Sequence, residues 1–270
     1  MSRAFAITAA AVAVLAGFFL IPARPHLTHM DFIAGGPDAL QFCDAANPRF
    51  LPVVARDSPV SAALSGTGPH AAGRECELSL VLRTNTGKAI GPRDLTPTGG
   101  RKLNLYAVDP SLTDFHALDP QPAGAGRWRL SFTPRAGGVY RLFADFTPVA
   151  TGQEMYVSAD LPVQGAPAAP AAGQALAATF GGREYRLASR PRPVRIREPA
   201  LLTLRAGEGT GGAAAGSELV AFDRARSGMV DLRLGRDGSG RVTFPDSGLY
   251  AVWARLGGGG AVPFSIAVEP

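Results

Sequence analysis

The chain is poor in the residues that most often carry chemistry. Among 270 residues there are two cysteines and four histidines, and of the 27 Lys and Arg only Lys88 and Lys102 are lysine. The two cysteines, Cys43 and Cys76, lack CxxC spacing, which excludes a vicinal redox pair or a paired-cysteine metal cluster. No nucleophile elbow, phosphate-binding Walker loop or HExxH metal helix occurs. With so few histidines the chain reads as no enzyme. The net charge of +5 would ordinarily raise nucleic acid as a partner. The arginines are spread along the chain, however, and the densest stretch, 183–197, is interrupted by Pro191, Pro193 and alternating apolar residues. It reads as a solvated strand face, and no nucleic acid is expected. Methionine is scarce at four, long helical stretches are few, and 33 Gly and 23 Pro punctuate the chain. That pattern predicts many short strands joined by turns.

What the chain does have begins at its N-terminus. Residues 5–21 carry no charge and are dominated by Ala, Val, Leu and Phe, with Arg3 before and Pro22 and Arg24 after. A positive residue ahead of an apolar core is an export signal. The core of about 17 residues is long for a cleaved signal and just long enough to span a bilayer as a helix. Ile21-Pro22-Ala23 offers no small-x-small cleavage site. Both readings stay open, a cleaved signal or an uncleaved anchor inserted in the membrane through residues 5–21, and both put the rest of the chain outside the cytoplasm. There, a Cys43–Cys76 disulfide is expected, closing a loop of about 33 residues with a contribution of roughly 3 kcal/mol.

One sentence of the sequence is written twice. Gly138-Val139-Tyr140-Arg141-Leu142-Phe143-Ala144 returns roughly 110 residues later as Gly248-Leu249-Tyr250-Ala251-Val252-Trp253-Ala254. Strands are predicted at 77–83, 102–108, 128–132, 139–146 and 156–163, and in the same order at 200–205, 218–223, 241–244, 249–255 and 263–268. Between the two sets, residues 165–173 are rich in Ala, Pro and Gly and form a semi-extended spacer. The implied fold class is all-β: two tandem immunoglobulin-like antiparallel β-sandwiches after an N-terminal hydrophobic helix. The implied boundaries are signal or anchor 1–24, stem 25–70, first domain 71–164, linker 165–176 and second domain 177–270. Asp246-Ser247-Gly248-Leu249-Tyr250-Ala251-Val252 resembles the Asp-x-Gly-x-Tyr-x-Cys stretch of immunoglobulin-type domains. That resemblance makes Tyr140 and Tyr250 the structural corner at the start of a central strand, with Val252 where an antibody domain has a cysteine. Phe143 and Trp253 then belong to the core rather than to a ligand platform.

The histidines divide by neighbourhood. His26 and His29 lie just past the apolar segment and read as polar residues at the membrane surface; His70, in Gly-Thr-Gly-Pro-His, reads as an exposed loop residue. His116 sits between Asp114 and Asp119 in a loop. The stretches 102–109, 112–116, 119–120 and 138–148 resemble exported bacterial envelope proteins with YtkA-like or FixH-like immunoglobulin-type domains, often found in copper or redox settings. In that family the strand and loop typically read His-Leu-x-Val-Val and Phe-x-His-x-His-Pro. Here Asn104 stands at the strand histidine, and the loop keeps His116 alone, with Leu118 and Asp119 in place of the second histidine and its neighbour. The resemblance implies an envelope location, inner-membrane-anchored or secreted to the periplasm. It also implies a degenerate metal site of His116, Asp114 and Asp119, for which copper is the implied ion; Cu(I) prefers thiolates or several imidazoles. The leading expectation is therefore a non-catalytic binding or scaffolding protein with no cofactor and a protein partner in the envelope, and the alternative is a periplasmic copper-handling or metal-sensing module.

Overall fold

In the computed structural model the described residues are 27–32, 51–52, 59–124, 126–171, 173–207, 216–257 and 259–270. The apolar segment 5–21, His26 and Cys43 lie outside them. Among the described residues no helix is long and apolar enough to cross a membrane, and the non-strand elements include short 3-10 turns at His29–Phe32 and Pro92–Asp94. The described residues form an all-β fold whose strand pairs are antiparallel except at Val194–Arg195, which pairs parallel to the C-terminal strand. In order its strands are β1 (Leu51–Pro52), β2 (Val60–Gly66), β3 (Cys76–Thr84), β4 (Leu95–Thr96), β5 (Asn104–Val108), β6 (Phe115–Leu118), β7 (Gln121–Pro122), β8 (Arg127–Phe132), β9 (Gly138–Pro148) and β10 (Met155–Val163). Then follow β11 (Ala177–Phe180), β12 (Arg183–Arg190), β13 (Val194–Arg195), β14 (Pro199–Ala206), β15 (Glu218–Phe222), β16 (Gly228–Arg233), β17 (Ser239–Thr243), β18 (Gly248–Arg255) and β19 (Ala261–Glu269).

Two apolar cores organise these strands. In the first lobe, sheets β2-β3-β8-β7 and β10-β9-β5-β6 face one another across a core that includes Leu80, Leu82, Trp128, Leu105, Leu142 and Phe146. In the second, sheets β11-β12-β14-β17 and β1-β16-β15-β18-β19-β13 enclose Leu187, Leu202, Val252, Phe264 and their neighbours. Alternation along β3, β8, β12 and β14 buries every second residue, the signature of a sheet with one wet face. Strands β5, β9, β15 and β18 are instead buried on both faces over most of their length. Something must cover their outer sides, and it is the other lobe.

Four features depart from the sequence reading. Residues 60–66, assigned to a stem, pair along their whole length with β3, and Phe32 is buried in the first core. The first lobe thus begins before residue 71. The run Val-Ser-Ala-Ala-Leu-Ser-Gly is too small-residued for its alternation to stand out. Leu51 and Pro52 pair with Met229 and Gly228, so a segment between Phe32 and β2 completes the edge of the second lobe's sheet. His116 is a strand residue, in register with Ala107, and not a loop residue. The linker is also pinned: Ala175 and Ser265 exchange backbone hydrogen bonds, and Ser265 Oγ donates to the Gly173 carbonyl at 2.6 Å.

Candidate functional site

Strand parity builds the seam between the lobes. In β9, Tyr140, Leu142 and Ala144 point into the first core, so Phe143 points out. In β18, Tyr250, Val252 and Ala254 point into the second core, so Trp253 points out. The outward residues Tyr106, Phe115, Phe143, Phe222, Met229 and Trp253 meet in a third buried cluster. Phe115 stacks on Trp253 with centroids 5.2 Å apart, and Phe143 tilts against Phe222 at 5.3 Å, which joins the two lobes through aromatic contacts. Phe143 and Trp253 are therefore buried, but between the lobes rather than within either core.

A ladder of charges runs beside the aromatics. Glu218 accepts from Arg255 at 2.5 Å and from Arg101 of the other lobe at 3.0 Å. Arg255 lies over the Tyr106 ring, 5.6 Å from its centroid. The Tyr106 hydroxyl donates across the seam to Asp231 Oδ2 at 2.5 Å, while Asp231 Oδ1 is buried without a hydrogen-bond partner among the described residues. Burial, then the charge of Glu218, pushes Asp231 up to about 6. Asp145, 2% exposed, accepts from Asn104 Nδ2 at 3.0 Å; burial and the facing Glu154 carboxylate raise its pKa well above the usual carboxylate range. Burial raises the Tyr106 hydroxyl as well. At the rim, Arg226 Nη1 donates to the Val139 carbonyl at 2.6 Å and Arg141 Nη1 to the Arg226 carbonyl at 2.9 Å. Sequence reasoning missed this set. Its signal was a charged residue inside a doubly buried strand at the same place in each repeat, Asp145 in one and Arg255 in the other.

Of the residues singled out from the sequence, Asp114, His116 and Tyr140 come together. The Asp114 carboxylate accepts from Arg135 N at 2.7 Å, Arg135 Nε at 2.6 Å and the Tyr140 hydroxyl. His116 Nε2 stands 2.9 Å from Asp114 Oδ1 but off the line of an N–H···O bond, so this contact is electrostatic rather than aligned. Burial would raise the Asp114 pKa; these neighbours outweigh it and hold the carboxyl below the usual range. The Tyr140 hydroxyl also accepts from Ala136 N at 3.2 Å, and the Tyr250 hydroxyl donates to the Asp246 carbonyl at 3.0 Å, each reaching four residues back. Burial pushes Tyr250 up to about 12.

Asp119 is not part of this group. It is exposed and accepts from Gln121 Nε2 at 3.0 Å. Among the described residues no group of three or more His, Cys, Asp or Glu is disposed to hold a metal ion. Asp114, with its donors already in place, does not suit copper. His70 is half-buried, with its ring against Gly66, rather than exposed. Cys76 is buried with a free thiol, raised in pKa by burial; its expected partner Cys43 lies outside the described residues.

No protein-family model and no curated protein matches the sequence. Among solved structures the chain is similar to invasin, a bacterial integrin-binding protein, at 16% identity over 78% of this chain, with a TM-score of 0.26. It is similar to Salmonella α2-macroglobulin at 14% identity over 82% of the chain, with a TM-score of 0.24. A DUF4785 family protein from Legionella pneumophila follows at 9% identity over 78%, with a TM-score of 0.30. The chain spans 40%, 17% and 56% of those chains respectively. Alignments this loose carry no information on activity or partners.

Proposed function

We propose that this chain is a non-catalytic envelope protein, exported or membrane-anchored. On this reading it binds or scaffolds a protein partner through two tandem immunoglobulin-like sandwiches that follow a hydrophobic N-terminal helix. The observation that carries the reading is the seam. The outer-face aromatics and buried charges of β5, β9, β15 and β18 are consumed in joining the lobes, which makes a two-lobed spacer of fixed geometry. A scaffold needs such fixed geometry, whereas beads on a flexible Pro/Ala tether do not supply it. The apolar segment 5–21 and the resemblance to exported envelope proteins support the location.

Two experiments test this. Residues 1–24 fused to a phosphatase that folds only outside the cytoplasm should give an active enzyme; an inactive, stably expressed fusion overturns the location. A photo-crosslinking residue at Val149, 60% exposed, should give one discrete envelope adduct with the intact chain, lost when Phe222→Ala and Trp253→Ala loosen the seam. An adduct indifferent to the seam overturns the fixed-geometry scaffold.

A further inference from the structure

The side of the second lobe turned away from the seam is the sheet β11-β12-β14-β17. Tyr185, Leu187, Leu202, Leu204 and Val242 point from it into the core, so the intervening residues point to solvent. Those outward positions carry Arg186, Arg190, Arg205 and Arg241, all exposed. The register sets them in two rows. Arg186 is directly opposite Arg205, while Arg190 and Arg241 flank Leu201 from either side. The second row crosses three strands, about 10 Å, and the rows are separated by about 13 Å along the strand.

Like charges placed directly opposite in a sheet are destabilising, and the fold does not use these. Among the described strand residues the acid on the face is Glu184, 2.9 Å from Arg186 Nε, with both side chains largely exposed, an arrangement worth little in water. Among the described residues Arg190, Arg205 and Arg241 make no ion pair. The corresponding sheet of the first lobe avoids the clash: Arg127 is opposite Val81 and Arg129 opposite Ser79. Guanidinium forks match the geometry of phosphate oxygens, which an ammonium does not.

We propose that this face docks on anionic phospholipid headgroups. A cationic sheet face with an exposed apolar residue between two of its arginines, Leu201 at 37% exposure between Arg190 and Arg241, complements a bilayer surface more than a cleft or a peptide. A basic patch is drawn to the surface of an anionic bilayer, and an apolar segment in the same chain holds the patch at the membrane. Residues 5–21 supply the apolar segment. The proposal rests on the envelope reading for a membrane to be at hand, but its chemistry is independent of export.

The test uses the full-length chain in vesicles of phosphatidylcholine alone or with about one third phosphatidylglycerol, carrying a benzophenone amino acid in place of Leu201. Phospholipid adducts, identified by mass, should rise about fivefold or more with phosphatidylglycerol. They should collapse near 1 M salt, where the screening length is about 3 Å, and in R186Q/R205Q. That variant should melt no lower than the parent, because it removes a like-charged pair. Equal yields in the two vesicle types, or yields indifferent to R186Q/R205Q, overturn the proposal. Adducts with added sulfated dextran but none with phosphatidylglycerol overturn it in favour of an acidic polysaccharide. Failure of the phosphatase fusion with success here sinks the location and leaves the face's chemistry standing.

Discussion

Gly138 and Gly248 begin the two copies of the repeated strand with φ of 130° and 139°, a region open essentially to glycine alone. Alanine at either position should destabilise the chain by about 1–3 kcal/mol, read as a lower denaturant midpoint. The tyrosine two residues on differs between the copies in what it holds. Tyr140 receives the Ala136 N–H and donates to buried Asp114, and Tyr250 donates to the Asp246 carbonyl. Tyr140→Phe should therefore cost about 1–3 kcal/mol, the penalty for stranding a buried polar group. Asp114 has a depressed pKa in the folded state. Its stabilising contribution is present above the ordinary carboxylate range and lost as pH falls below it. Asp114→Asn should flatten the acid limb of a stability–pH curve. Equilibrium dialysis with Cu(I) and Cu(II) should show no binding that His116→Ala removes, since the carboxylate beside it is already engaged.

Strands carry the next level of decision. A β-strand has two faces, and the repeat places an aromatic on each: Tyr140 and Tyr250 inward, Phe143 and Trp253 outward. The inward pair fills its own lobe, and the outward pair fills the gap between lobes. Trp253→Ala should cost about 3–5 kcal/mol, the range for truncating a buried aromatic. It should also expose the linker to proteolysis, a readout that an ordinary core cavity would not give. Glu218 is the hinge of the polar ladder, facing Arg101 from the first lobe and Arg255 from its own. Glu218→Gln leaves these two guanidiniums, and Arg233 at 3.8 Å, short of a charge, and its loss should exceed that of a surface pair such as Arg186–Glu184.

For the whole molecule the seam makes stability depend on pH in the opposite sense to Asp114. Asp231 is raised to about 6 against an ordinary value of 3.8. Below the ordinary value both folded and unfolded forms are protonated, and nothing is lost. As pH rises from about 4 to 6 the unfolded chain ionises first, and folding loses on the order of 3 kcal/mol at 1.36 kcal/mol per unit. The molecule should melt lower at pH 8 than at pH 5, with Asp231→Asn and Asp145→Asn each reducing that slope, checked by thermal melts across the range. The strands themselves were legible in the sequence: alternation marked 77–83 and 128–132, apolar runs marked 139–146 and 249–255, and sheets formed there. The weakly alternating 60–66 and the strand holding His116 were not, because small residues and a lone histidine carry little periodic signal. Asp114 and His116 were close in the sequence and so were found together, while Arg135 came from the bend before β9 and Tyr140 from β9 itself. By itself the sequence determined an all-β chain with a duplicated strand, since side-chain period and turn residues are local properties. Only the tertiary structure decided that the outward faces of the two copies meet, burying Phe143 and Trp253 between them, because a strand's pattern records that a face is apolar and not what will cover it.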